Sequence, residues 1–474
     1  MYDIKNQYRC DIIRGKSQST LEDMLPAYAK VINDVCPCPK KIFDEEFNQR
    51  LVKFLPITDR EKKTLDNHRT EIAGKLFGMY SSNEDGNVYC SERTKKFLED
   101  GDIPAFFKDI CFKMQFPNAM QKIQTVTERL NDKIHLRPYC FLIKTLEVAE
   151  KEKISLDKKT IGFYILNSLD VLQGIATPEE VIYKILEDRH KGIYREIEGD
   201  GASSFKYQHI NEQLNYLELA NLIWTDGKKD VHLNHKEQEC IDLFAKDWNS
   251  ELLFKIELSD VSSSDAFKNL QYRWNDYFGR LSSVENSFTT KLDALAITET
   301  VQNGYRLYGN TVELGDEGES FVFNFEKERV GKFNPRLTNK VILFGKQKGL
   351  GYDVQSVMAE KHPSIDEYPE FAKYIEVKAT RRVTAPNIND SEWFDTVNIT
   401  RNEYTAALNQ KESYFIYRVF FTRNGVFMYT VNDLFKKKQD GKLDIIPLTY
   451  RVELNKDSID KVYDIKNQES PENV

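Results

Sequence analysis

The apolar period of this chain changes once, near residue 300, and that change constrains its fold more than any other feature. Before it, TDREKKTLDNHRTEIAGKLFGMY, PAFFKDICFKMQF, CFLIKTLEVAEKEK and TPEEVIYKILEDRH carry apolar residues at helical spacing, which predicts helices of moderate length. The Thr-Pro-Glu-Glu start of the last supplies a capping hydroxyl, a first-turn proline and acids near the positive helix end. Beyond residue 300, a helix over GESFVFNFEKERV leads into strand-like runs at KVILF, GYDVQSVM, KYIEVKAT, SYFIYRVFF and GVFMYTV. Between the last strands lies a helix, TRNEYTAALNQK, with Thr400 as its cap. The predicted fold is α+β and multidomain: a mainly helical N-terminal region and a C-terminal mixed α/β domain around a central sheet.

At 474 residues the chain has room for two or three cores. The expected division is 1–150 and 151–300 for two helical domains, 301–460 for the sheet domain, and 461–474 for a polar tail, poorly ordered at its end. Charged residues at 30% and 29 Phe and 24 Tyr indicate a folded soluble protein. No run approaches the length of a membrane span, and the polar start MYDIKNQYRC is not expected to act as a signal peptide. Seven scattered cysteines fit a reducing cytoplasm, here a prokaryotic one, and Cys36 and Cys38 lack the spacing and histidine partner of a zinc site. A net charge of −8 counts against a coating or packaging protein, but leaves room for a site-specific binder with positive charge on one face. There is no GxxxxGK[ST] loop, so ATP is not expected as a partner.

Two segments combine a helix, a short hairpin and a following helix. In GKLFGMYSSNEDGNVYCSERTKKFLEDGD, a strand at Asn87 to Cys90 precedes a basic helix capped by Ser91. In INEQLNYLELANLIWTDGKKDVHLNHKEQECIDLF, a helix ending at Leu222-Ile223-Trp224 meets a turn at Thr225 to Lys228, a strand at Val231 to Leu233 and a helix capped by Asn234. This is the sequence shape of a winged helix, which commonly binds DNA. Structural or protein-binding helix-plus-hairpin units have the same shape.

Chemistry concentrates in GYDVQS and KYIEVKAT. In a strand, Glu376 and Lys378 share a face, and a hairpin joining the two segments brings Asp353 beside them. Two carboxylates and a lysine on neighbouring strands need compensation, and Mg²⁺ suits them, being hard and content with one or two carboxylates plus waters and phosphates. Asp353 and Glu376, with the Val377 carbonyl, are the expected ligands. Lys378 is placed to orient a water and offset the charge of the reacting phosphate. The spacing alone equally allows a turn-capping Asp353 and a surface Glu376–Lys378 ion pair.

Those two segments, in order, resemble the PD-(D/E)xK nuclease superfamily in its Mrr-like branch, over roughly residues 310 to 425. LGDEGESFVFNFEKERV resembles the first helix of that core and makes Glu319 the position of a further acid near the metal. ITRNEYTAALNQKESYFIYRVF resembles the segment after the catalytic strand. Tyr352 stands where the superfamily name has proline, and Glu360, Asp366, Glu367 and Glu370 fill a longish spacer before Glu376. The N-terminal half resembles, more faintly, recognition regions of type IIS restriction endonucleases such as the AlwI group.

These resemblances imply a site-specific DNA endonuclease of restriction type, acting in defence against foreign DNA with Mg²⁺, or Mn²⁺ in its place. Catalytic residues would be Asp353, Glu376, Lys378 and Glu319. Arg381, Arg382, Lys346 and Lys348 would face the DNA backbone. One such core cuts one strand, so cutting double-stranded DNA through needs a dimer or a second subunit. The alternatives are a non-catalytic DNA-binding protein that retains the scaffold, and an RNA-directed defence nuclease.

Overall fold

A computed structural model gives the fold; it describes residues 10, 12, 15–55, 60–83, 85–195, 205–259, 261, 263–281, 311–344, 350–360, 370–391, 393–446 and 451–466. The N-terminal region contains two helical units whose three-stranded sheets share one strand order, the second with additional short helices between its first strand and its hairpin. In the first, α1 (Gln18–Val35), β1 (Cys38–Pro39), α2 (Lys40–Leu51) and α3 (Lys62–Asn67, continued by a π-wound turn, His68–Leu76) precede the hairpin β2 (Tyr80–Ser82) and β3 (Asn87–Cys90). Then α4 (Glu92–Asp100) follows, its start capped by Ser91 Oγ accepting from Thr94 N at 3.2 Å.

After α5 (Ile103–Lys113), the second unit runs through α6 (Pro138–Lys151), β4 (Leu156–Asp157), α7 (Pro178–His190) and α8 (Phe205–Leu219). The hairpin β5 (Ile223–Thr225) and β6 (Asp230–Leu233) and the helix α9 (Gln238–Lys246) complete it. Both sheets are antiparallel with the last strand in the middle, β1-β3-β2 and β4-β6-β5. The amino-acid sequence shows no repeat; the strand order of the two sheets does. The predicted capping hydroxyl of α7 is present and closes a full capping box, with Thr177 Oγ1 accepting from Glu180 N at 3.2 Å and Glu180 Oε2 from Thr177 N at 2.9 Å.

Two expectations change here. The helix predicted through Trp224 stops at Leu219, because Asn221 takes a left-handed φ of +59° that asparagine tolerates, and Ile223–Thr225 pairs as strand instead. The boundary at residue 150 is not a break in packing. One apolar core runs from Cys10 to Phe278 through both units, reaching α10 (Ser264–Gly279). Helix α5 is buried along its whole length within it. Its charges are met from both sides: Arg93 donates to Asp109 at 2.7 Å and Lys108 to Glu237 at 2.7 Å.

The C-terminal region is a six-stranded sheet, ordered β15-β12-β11-β9-β8-β7, formed by Lys461–Lys466, Gly425–Asn432, Tyr414–Thr422, Ala372–Arg381, Val354–Val357 and Ile342–Leu343. Strands β9 and β11 are parallel and the other pairs antiparallel. Side chains alternate between its faces as the strand period demands. Ile375, Val377, Tyr417 and Val419 pack with α11 (Thr311–Phe333), while Tyr374, Tyr414, Ile416 and Phe420 face the other way. That second face is covered by α12 (Arg401–Gln410), α13 (Leu434–Gln439) and a small sheet, β10-β14-β13, formed by Asp395–Asn398, Arg451–Leu454 and Leu443–Ile446. The boundary expected at 460 moves: residues 461 to 466 pair antiparallel with β12 and form the sheet's edge, and the end of the tail, residues 467–474, lies outside the described residues. Among the described residues, no helix is long and apolar enough to cross a membrane.

Candidate functional site

Strands β8 and β9 pair antiparallel with Val354 opposite Ile375, which sets Asp353 at the level of Glu376 and Val377. The Asp353 carboxylate accepts from the Val377 N–H at 2.8 Å. Glu376 and Lys378 lie on the face away from α11, and Lys378 Nζ donates to Glu376 Oε1 at 2.7 Å. From the covering helix comes a residue that sequence reasoning did not single out. Glu403, in the first turn of α12, receives Lys378 Nζ on Oε2 at 2.8 Å.

Glu403 Oε2 also accepts from Thr400 N at 3.0 Å, closing the capping box that starts the helix. The helix start is pressed against the turn before Asp353. Gly351 has φ +77°, and a Cβ there would stand 2.5 Å from the Asn402 carbonyl oxygen. Tyr414 OH donates to Gly351 O at 3.0 Å and holds that turn from the sheet side.

Burial pushes the Asp353 and Glu376 carboxyls above the usual carboxylate range, and neighbouring acids push the same way; Lys378 and the Val377 N–H oppose this without cancelling it. Burial would lower the Lys378 ammonium, but facing Glu376 and Glu403 hold it above the ordinary lysine value. Glu376 is 5% exposed, whereas the Lys378 side chain keeps 21% of its surface, so the cluster is sunken but open at the lysine. Three carboxylates share one ammonium. A hard divalent cation fits that excess, and two carboxylates are the usual protein share of a Mg²⁺ shell. Among the described residues, no three acid, histidine or cysteine side chains converge as a preformed metal cage.

The other predicted residues fall elsewhere. Glu319 stands on α11, against the opposite face of the sheet, where neighbouring Gly318 packs close to Ala379 and Val377. Arg382 is corrected: it is 7% exposed, and its guanidinium meets Asp23 at 2.8 Å and Glu22 at 3.5 Å on α1. It ties the two halves of the molecule instead of facing solvent. Arg381 is half-buried and paired with Glu317 at 2.6 Å, with Glu237 at 3.8 Å. Lys346 and Lys348 lie outside the described residues, as do Asp366 and Glu367. Of the remaining spacer acids, Glu360 pairs with Lys461 and Glu370 with Lys340, both at the surface.

Further contacts join the halves along the same seam. Glu22 accepts from the Thr384 hydroxyl at 2.6 Å, Thr380 Oγ1 donates to Gly101 O at 3.2 Å, and Arg423 meets Glu218 at 3.4 Å. The strand that carries Glu376 and Lys378 therefore ends in a junction with the N-terminal region.

A family profile described as "Restriction endonuclease BpuJI - N terminal" matches residues 2–275, more than half of the chain. A second, described as "Protein NO VEIN, C-terminal", matches residues 318–431, the stretch that holds the carboxylate cluster. Among solved structures, the BpuJI endonuclease binding domain in complex with pyrene- and phenanthrene-modified DNA is 47% identical, with a TM-score of 0.56. The match covers 59% of this chain and 100% of that one. No curated protein matches. With one core running through both N-terminal units and the family match spanning them, the chain belongs to the restriction endonuclease BpuJI N-terminal family.

Proposed function

We propose that the chain is a site-specific, Mg²⁺-dependent endonuclease of double-stranded DNA, of restriction type, that reads sequence with its N-terminal half and hydrolyses phosphodiester bonds with its C-terminal sheet. The observation that carries the catalytic part is the meeting of Asp353, Glu376, Lys378 and Glu403 across β8, β9 and α12. Asp353, Glu376 and Lys378 are three of the four residues that the resemblance to a PD-(D/E)xK core names; Glu319 is not in the cluster, and Glu403 joins it instead. The recognition part rests on the relative crystallised with DNA and on two units in which a helix, a hairpin and a following helix succeed one another, the shape read above as winged-helix-like.

Asp353 and Glu376, with the Val377 carbonyl, would hold the ion. When bound, Mg²⁺ lowers the pKa of water and stabilises charge on the reacting phosphate. The chain's own groups do the rest. Lys378, kept charged by its acids and open on one side, donates to the attacking water or a non-bridging phosphate oxygen. The Val377 N–H fixes the rotamer of Asp353. With one cluster per chain, a double-strand cut takes two chains, and separate recognition and cleavage regions fit type IIS cutting beside the site.

The test is incubation of the protein with unmodified plasmid and Mg²⁺, set beside Lys378→Ala. Cleavage by the native protein and none by the variant is expected. Equal cleavage by both removes Lys378 from the reaction, and no cleavage by either across several DNA sources and methylation states favours a DNA-binding scaffold.

A further inference from the structure

Glu403 is a single side chain with two jobs in the geometry. One oxygen, Oε2, accepts from the Thr400 N–H at 3.0 Å and from Lys378 Nζ at 2.8 Å. The side chain is 13% exposed, and the Lys378 ammonium it meets is gripped from the other side by Glu376 at 2.7 Å. A long flexible lysine held at both sides loses its rotamer freedom before any substrate arrives. The helix that delivers Glu403 is fixed as well. Its Asn402 backbone is packed on Gly351, two residues before Asp353. One helix start thus touches both the turn that carries Asp353 and the ammonium beside Glu376.

We infer that Glu403 is a positioning residue for Lys378, setting the direction of the ammonium relative to the Asp353–Glu376 pair; this rests on the nuclease reading above. Its capping role alone would need only an acceptor at the helix N-terminus. Its charge, aimed at a lysine on the sheet face that the helix covers, serves the site. A neutral glutamine keeps the acceptor for Thr400 N and removes the charged grip on Lys378, so Glu403→Gln separates the two jobs. Thr400→Ala does the reverse, weakening the cap while leaving the carboxylate.

The experiment measures kcat and KM on plasmid DNA with Mg²⁺, the melting temperature, and the rate at which an amine-reactive acylating reagent labels Lys378, read by mass spectrometry. For Glu403→Gln, kcat falls about 10- to 100-fold, as misplacing a reacting group by an ångström can cause. KM and the melting temperature stay near the native values, and Lys378 labels several-fold faster. For Thr400→Ala, the melting temperature falls and Lys378 labelling stays near native. Native kcat and native labelling in Glu403→Gln overturn the inference. So does a loss of kcat that tracks the loss of melting temperature equally in both variants. Failure of the native protein to cleave any DNA sinks the nuclease reading, and the labelling rates still decide whether Glu403 restrains Lys378.

Discussion

Strand β9 carries two lysines that are held by carboxylates on opposite faces, and the two surroundings differ in sign. On the α11 face, Lys373 is 5% exposed and Glu326 fully buried. Glu326 accepts from Tyr417 OH at 2.6 Å, Ser356 Oγ at 2.6 Å and Arg329 at 2.7 and 3.0 Å, with Lys373 at 3.6 Å. One carboxylate there meets two cations. Burial opposes its ionisation, yet Lys373, Arg329 and the hydroxyls bring Glu326 down to about 2, while burial takes Lys373 down to about 8. On the α12 face three carboxylates meet one cation, and Asp353 and Glu376 are pushed up instead. The first cluster is complete in itself and belongs to the fold. The second has negative charge to spare, which suits the bound cation of the reading proposed above.

The largest expected effect tests the completeness of the first cluster. Glu326→Ala leaves Arg329 and Lys373 buried beside each other with only the surface Glu360, itself paired with Lys461, as counter-charge, and should cost about 3–5 kcal/mol of stability, read from denaturant or thermal unfolding. Loss of less than about 1 kcal/mol would show that the two clusters are not different in kind. The mirror experiment is Asp353→Asn. It removes a desolvated carboxylate, so the melting temperature should hold or rise, while Mg²⁺-dependent cleavage falls by about 100- to 1,000-fold. A drop in melting temperature as large as that of Glu326→Ala would place Asp353 in the scaffold.

A smaller effect is expected where the acid-rich cluster meets its support. Gly351 holds a left-handed φ of +77° with no room for a Cβ beside Asn402. Gly351→Ala should cost about 1–3 kcal/mol in backbone strain and should lower cleavage as well, because the displaced turn carries Asp353. A full-rate, fully stable variant would show that α12 does not fix the site.

The sheet was legible in the sequence because its strands obey a period of two. KYIEVKAT, SYFIYRVFF and GVFMYTV lie within β9, β11 and β12, or run one residue ahead of them. The short strands β10, β13 and β14 were not, since four residues with polar members between turns carry little period. Asp353, Glu376 and Lys378 could be grouped because pairing of β8 with β9 follows from order along the chain. Glu403 and Arg382 could not be read correctly. A capping glutamate and a basic pair look alike whether they face solvent or a partner, and their partners, Lys378 and α1, lie 25 and about 360 residues away. The single N-terminal core escaped notice for a related reason. Helical period shows which face of each helix is apolar, not which other helix covers it.

The smallest effect concerns pH, and it sets the two faces against each other directly. Glu326, brought to about 2, contributes stability that is present above the ordinary carboxylate range and lost only as pH falls toward that value. Asp353 and Glu376 run the other way. Raised in the folded chain, they bind more protons there than in the unfolded one, so stability declines as pH rises from the ordinary carboxylate range through their folded values. Mg²⁺ should recover that loss, and only where the pair is ionised. At about tenfold over its Kd a bound ion adds about 1.4 kcal/mol, a shift of about 1.4 °C in a chain of this size. The shift should be present at pH 8, shrink toward pH 5, and vanish at both in Glu376→Gln, while Glu326 stays charged throughout and contributes equally at each pH. A Mg²⁺ shift that is the same at pH 5 and pH 8, or that survives Glu376→Gln, would place the ion elsewhere than on the acid-rich face.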